Sequence, residues 1–87
     1  MHRRGLEDAA CALEDLAEGR MPAHERVVAG VAALEATRAT HPHWRDLADA
    51  LFGLKALAET GAMPLDARGR GRAARLADVV RSLIDTV

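Results

Sequence analysis

The same short pattern, Gly-x-Met-Pro, occurs twice in this chain, at residues 19–22 and 61–64. They read Gly-Arg-Met-Pro and Gly-Ala-Met-Pro. Glycine readily takes the left-handed conformation that ends a helix, and proline fits the first turn of the next helix. Each stretch therefore predicts a helix, a sharp stop and a second helix, which is an αα-hairpin. A third break at His41-Pro42 separates the two hairpins, because a residue before proline avoids helical angles.

Apolar spacing predicts helices on both sides of each break. Leucine, alanine and valine recur at i, i+3, i+4 and i+7, and no alternation typical of strands persists. The first hairpin is predicted over about 6–40 and the second over about 42–87, within one domain. Asp66 is a candidate cap for the fourth helix. The residues predicted to face the core are Leu6, Ala9, Ala10, Leu13, Leu16, Ala17, Val27, Val28, Val31, Leu34, Trp44, Leu47, Leu51, Leu54, Ala58, Leu76, Val79, Val80, Leu83, Ile84 and Val87.

The two hairpins can also be aligned with each other. Asp8 falls on Asp49 and, after one inserted residue, Arg26 falls on Arg68. This is either an internal duplication or a short turn that recurs by chance in an alanine-rich chain. Short connections favour antiparallel neighbours in both cases. The predicted fold is all-α, a four-helix antiparallel bundle built from two αα-hairpins; the alternative is an open pair of hairpins that homodimerisation completes or extends.

The core is predicted to be poor in large side chains. Nineteen of the 87 residues are alanine, against eleven leucines, one tryptophan and one phenylalanine. A domain of this size buries only a modest fraction of its surface, so a single hydrophobic core is barely sufficient to stabilise it. We therefore expect closely approaching helices, a partner chain, or both.

Three apolar residues lie off the predicted core faces: Phe52, Cys11 and Leu57. At 100° per residue, Phe52 lies roughly 130° from the centre of its helix's apolar stripe. Cys11 is its counterpart in the alignment of the two halves. We interpret these residues as a surface that contacts a protein partner, most simply a second copy of the chain. The alternative is that they are isolated exposed residues, which need no explanation.

Arginines are concentrated at residues 67–75, which read Ala-Arg-Gly-Arg-Gly-Arg-Ala-Ala-Arg. Arg68, Arg72 and Arg75 fall on one side of a helix. The first interpretation is pairing with the acidic first helix or plain solvation, the second is contact with an anionic partner, and the third is contact with nucleic-acid phosphates. A net charge of −1 and the lack of a helix-turn-helix pattern argue against nucleic acid.

The sequence contains no pattern typical of an enzyme or a metalloprotein. His41 and His43 are weak metal candidates, since no third ligand accompanies them at a recognisable spacing. Cys11 lies among alanines with acids nearby, and Ser82 lies on the polar side of its helix, so neither resembles an activated nucleophile. We expect no catalytic residue and no cofactor.

The expected function is that of a small accessory, regulatory or inhibitory factor that binds a partner protein. The alternatives are a nucleic-acid-binding protein that uses the run from Arg68 to Arg75, and a non-catalytic helical subunit of a larger enzyme. One cysteine, no signal peptide and no apolar run near the ~20 residues of a membrane span favour a cytoplasmic protein that avoids membranes. The abundance of arginine and alanine is typical of a bacterial genome rich in G and C.

Overall fold

The computed structural model describes residues 3–38, 42, 44–61 and 66–86. Over these ranges the chain forms four α-helices and no strand: α1 (Arg3–Ala17), α2 (His24–Arg38), α3 (Trp44–Thr60) and α4 (Ala67–Thr86). The predicted all-α class is therefore confirmed. None of these helices combines the length and the apolar character that crossing a bilayer requires. The radius of gyration is 11.4 Å, close to the ~12 Å expected for a folded domain of this length.

Glycine ends α1 and α3, as the sequence predicts. Gly19 has a φ of 78° and Gly61 a φ of 69°. At the end of α1, the Gly19 N–H donates to the Leu16 carbonyl at 3.0 Å, and the Arg20 N–H donates to the Asp15 carbonyl at 2.8 Å. This pair of bonds is the Schellman motif. Gly61 uses the simpler form, in which its N–H donates to the Leu57 carbonyl at 2.8 Å.

The helix starts are predicted less accurately than the ends. Asp66 caps α4 as expected, since its Oδ1 accepts a hydrogen bond from the Gly69 N–H at 2.7 Å. Pro22 and Pro42, however, precede α2 and α3 instead of lying in their first turns. At α2 the Ala23 carbonyl accepts the first helical hydrogen bond, from the Val27 N–H at 3.1 Å. Ala23 is therefore the cap residue and Pro22 lies outside the helix.

The bundle is arranged around α1. This helix packs along both α2 and α4, and α2 also packs along α3. The contact between α3 and α4 is much smaller, so the helices follow the order α4, α1, α2, α3 with a loose junction between the last and the first. α1 and α2 run in opposite directions, because Gly5 lies against Ala33 while Ala9 lies against Gly30.

Three large apolar side chains lie differently from the predicted stripes, and the predicted core residue Val87 lies outside the described residues. Val28 is 49% exposed and Trp44 is 52% exposed, although both were expected to face the core. Leu57 is only 5% exposed and belongs to the core, so the expectation that it lies outside is wrong. Compared with the predicted stripe, the buried face of α3 is rotated about the helix axis towards Ala50 and Leu57. An alanine lets the helices approach more closely than the bulky indole of Trp44 would, because interaxial distance depends on the side chains at the contact.

α1 and α2 approach closely enough to exclude even a methyl group. A Cβ added to Gly30 would lie 2.8 Å from the Ala9 Cα and 2.9 Å from the Ala9 Cβ. A Cβ added to Gly5 would lie 2.6 Å from the Ala33 Cβ. The expectation of closely approaching helices is therefore confirmed for α1 and α2. Gly5 packs against Ala33, and Gly30 packs against Ala9.

Replacing Gly30 with alanine should destabilise the protein. Alanine favours a helix by roughly 1 kcal/mol over glycine, but the clash with Ala9 should exceed that gain and leave a net loss of about 1–2 kcal/mol. Gly71→Ala is the matched control, since a Cβ there meets nothing within 4 Å, and it should stabilise by up to about 1 kcal/mol. Urea unfolding measures the free energy of unfolding of both variants. If both substitutions stabilise the protein, or both destabilise it, the close contact at Gly30 is contradicted.

Candidate functional site

An open groove lies at the loose junction between α3 and α4. Its volume is about 390 Å³. Three leucines supply its apolar floor, two from α1 and one from α4, while α3 and α4 supply small and polar residues along its sides. The lining residues are Leu13, Leu16, Asp49, Phe52, Gly53, Gly69, Arg72, Ala73 and Leu76. We call this feature the α3–α4 groove.

The second hairpin has an arginine at the position that corresponds to Gly30 in the first hairpin. The alignment that places Arg26 on Arg68 also places Gly30 on Arg72. Gly30 lets α2 touch α1. Arg72 instead projects a guanidinium whose Nη2 lies 3.3 Å from Oδ2 of Asp49 on α3. In the second hairpin a salt bridge therefore joins α3 and α4. At the corresponding position of the first hairpin, Gly30 of α2 packs directly against Ala9 of α1.

Small residues widen the α3–α4 groove further. A Cβ added to Gly53 on α3 would meet nothing within 4 Å, so this wall faces open space. On α4 the facing residues are Gly69 and Ala73. The leucines of the floor are themselves buried, since Leu13, Leu16 and Leu76 are only 2–4% exposed.

Phe52 stands on the α3 side of the groove and is 59% exposed. The helical spacing thus placed it correctly outside the core, and its role in binding stays a prediction. Phe52 therefore places exposed apolar surface at the edge of the α3–α4 groove. Such surfaces are typical of sites where a protein contacts another molecule.

Cys11 lies on a different surface from Phe52. It is half-buried where α1 meets α4, and Arg81 Nη2 donates to its Sγ at 3.5 Å. Arg81 and Arg72 are nine residues apart, which places them on opposite sides of α4. With Leu57 in the core, the structure does not bring the three predicted interaction residues together.

Arg81 ties α4 to the acidic first helix. Its Nη2 donates to Oε1 of Glu14 at 2.7 Å. This hydrogen bond raises the pKa of Arg81 above its ordinary value, against an opposing effect of desolvation. The expected attraction between the acidic first helix and the basic last helix is therefore observed at this contact.

The arginine run divides between two sides of α4. Arg68, Arg72 and Arg75 are exposed on one side of α4, and Arg72 lines the α3–α4 groove. Arg70 lies near Gly19, at the end of α1. The expectation that the run pairs with the first helix is wrong for Arg72, because this side chain faces α3 and pairs with Asp49.

The histidine candidates add nothing to this site. His41 and His43 lie outside the described residues, and His24 is exposed at the start of α2. Within the described ranges no group of three or more histidine, cysteine or acidic side chains is placed to hold a metal ion.

Comparison with known proteins does not assign a function to this geometry. No family model matches the chain, and neither a curated protein nor a solved structure shows significant similarity to it.

Replacing Arg72 with leucine should close the α3–α4 groove and stabilise the fold. The exposed Arg72–Asp49 pair contributes only about 0–1 kcal/mol, whereas an apolar side chain over the leucine floor should add about 1 kcal/mol net. Asp49→Asn is the control, because it weakens the ion pair and adds no apolar surface; it should lower stability by less than about 1 kcal/mol. Thermal unfolding compares the two. A loss of stability in Arg72→Leu would show that the pair does not hold the groove open against closure.

Proposed function

We propose that this protein works by binding another protein through the α3–α4 groove, as an accessory, regulatory or inhibitory factor. The observation that supports this is Phe52, a large apolar side chain that is 59% exposed beside an open groove of about 390 Å³. Covering apolar surface contributes roughly 25 cal/mol for each Å² removed from water. A partner that covers Phe52 gains this energy.

The polar groups of the α3–α4 groove favour binding over catalysis. The ionisable side chains among its described lining residues are Asp49 and Arg72, and they are joined to each other at 3.3 Å. A nucleophile needs an adjacent base that is free to take its proton, and this pair offers a carboxylate already engaged by a guanidinium. The pair is better suited to orient a bound partner than to transfer a proton.

A nucleic acid is the second candidate partner, and the placement of Arg68, Arg72 and Arg75 on one side of α4 is the observation that favours it. Phosphate contacts would make that binding fall steeply with salt. The net charge of −1 and the neutralisation of Arg72 by Asp49 weaken this candidate relative to a protein. A homodimer is the case of the proposed function in which the partner is a second copy of the chain.

Phe52→Glu tests the proposed function. The immobilised wild-type chain should retain a protein from a lysate of the native host, and Phe52→Glu should retain at least about tenfold less, because a charge replaces an apolar anchor at the groove. Met21→Glu is the matched control: Met21 is 55% exposed, lies in the turn between α1 and α2, and is not among the residues that line the groove. Circular dichroism establishes that both variants fold.

Equal retention by the two variants would exclude the α3–α4 groove as the binding site. Sedimentation of the wild type and Phe52→Glu shows whether the retained protein is a second copy of the chain. If the wild type sediments with the mass of a dimer and Phe52→Glu with the mass of a monomer, the partner is a second copy of the chain.

A further inference from the structure

We propose that the exposed face of α3 binds the same face of a second copy of the chain, with the two helices antiparallel and related by a two-fold axis at Phe52. We call this surface the outer face of α3; it consists of Arg45, Ala48, Phe52, Ala56 and Glu59. This dimer rests on the proposed function and names its partner, because Phe52 belongs both to the α3–α4 groove and to the outer face.

Phe52 lies at the centre of a charge pattern that changes sign from one end of α3 to the other. Arg45 precedes it by seven residues, and Glu59 follows it by seven. Seven residues are close to two full turns, so the three side chains lie within about 20° of one line along the helix. All three are exposed. The outer face is therefore basic at its start, apolar in its middle and acidic at its end.

A second copy matches this pattern when its α3 runs in the opposite direction. A two-fold axis at Phe52 places each residue opposite the one that lies equally far on the other side of Phe52. Arg45 then meets Glu59 of the second copy, and Glu59 meets Arg45 of the second copy. One patch thus forms two identical ion pairs, as a self-complementary interface does. A parallel arrangement would place like charges together, which is unfavourable.

The positions of Arg45 and Glu59 are unfavourable for α3 alone. Arg45 is the second residue of the helix, and Glu59 is the second to last. The start of a helix carries partial positive charge and its end partial negative charge, so a base near the start and an acid near the end both oppose the helix dipole. In the antiparallel pair, each of these side chains lies near the opposite end of the other α3, where the same dipole attracts it.

Both charges are available to a second copy. Glu59 is exposed and forms no salt bridge with any other side chain in the described ranges. The Cζ of Arg45 lies 5.3 Å from the centroid of the Trp44 ring. This cation–π contact involves no carboxylate, so N–H donors of the guanidinium are left for one.

Two neighbouring charges of α3, Asp49 and Lys55, take no part. Asp49 lies 3.3 Å from Arg72, and Lys55 lies 3.8 Å from Glu35. The helical spacing turns each of them about 60° away from the centre of the outer face, to opposite sides. The proposed contact therefore uses no charge that already forms a salt bridge within the fold.

The middle of the outer face supplies the apolar contact. Phe52 is 59% exposed, and Ala48 and Ala56 lie about one turn before and after it. Side chains this short leave room for the ring of the second copy beside Phe52, where two rings can pack offset or edge to face. Covering the rings removes apolar surface from water and supplies affinity, while the ion pairs at the two ends determine the direction of the helices.

Sedimentation velocity over a concentration series tests the dimer with charge-reversed variants of the full chain. The contact is one helix wide, so the wild type should form a reversible dimer of the weak class. Arg45→Glu and Glu59→Arg should each weaken it at least about tenfold, because the two-fold axis makes both end contacts repulsive. The double variant Arg45→Glu/Glu59→Arg should dimerise as the wild type does. An equimolar mixture of the two single variants should also dimerise, since opposite charges meet again.

Arg68→Glu is the matched control. Arg68 is exposed and is the second residue of α4, as Arg45 is of α3, so the two substitutions make the same change of charge at the same helical position. Arg68→Glu should leave the dimer unchanged. Thermal unfolding at a concentration where the chain is monomeric gives a second readout. Arg45→Glu and Glu59→Arg should not lower the Tm, because both reversals suit the helix dipole; a weaker dimer then cannot result from a damaged fold.

Three results would overturn the inference. A wild type that sediments as a monomer up to its solubility limit excludes the dimer. A dimer that Arg45→Glu and Arg68→Glu weaken equally excludes the outer face of α3 as its interface. A dimer that the single reversals weaken and the double reversal does not restore excludes the antiparallel pairing of Arg45 with Glu59.

Failure of this inference can be distinguished from failure of the proposed function. If the wild type sediments as a monomer while retention of a host protein depends on Phe52, the proposed function stands and the partner is not a second copy. If Phe52→Glu and Met21→Glu retain the host protein equally, the proposed function is wrong, and the charge-reversed variants still decide by sedimentation whether the outer face of α3 forms a dimer.

Discussion

The contact between Gly30 and Ala9 sets the geometry on which the rest of the bundle depends. A chain with nineteen alanines cannot fill wide spaces between helices with large side chains, so its stability depends on helices that touch. The missing Cβ of Gly30 lets α2 approach the Ala9 backbone within van der Waals distance. With α2 fixed along one side of α1 and α4 along the other, α1 becomes the central helix. Leu13 and Leu16 are consequently presented to both α4 and the space beside α3.

The second hairpin uses the same plan with a different residue at the decisive position. Arg72 aligns with Gly30, and it forms a salt bridge with Asp49 on the facing helix where Gly30 makes a backbone contact. An exposed ion pair stabilises a fold very little. The contact between α3 and α4 is also smaller than the contact between α1 and α2.

Local chemistry explains which features the sequence predicts well. The glycine stops and the Asp66 cap depend on hydrogen bonds between residues no more than five positions apart, so the sequence pattern contains all the information needed for them. The rotation of α3 that buries Leu57 and exposes Trp44 depends on how α2 and α1 pack against it. The α3–α4 groove is harder still to foresee, since it results from side chains that three helices bring together. The one available signal was the arginine that stands opposite Gly30 in the alignment.

The charge of the whole chain conceals the arrangement on which binding depends. A net charge of −1 suggests no preference for a charged partner, yet the acids of the first helix form ion pairs within the fold, and Arg68, Arg72 and Arg75 are exposed on one side of α4. Binding of the proposed partner at the α3–α4 groove would also be linked to stability, because a ligand that binds only the folded chain adds about 2.7 kcal/mol at a hundred times its Kd. For a domain with so few large apolar side chains, an occupied groove would supply packing between α3 and α4 that its own sequence lacks.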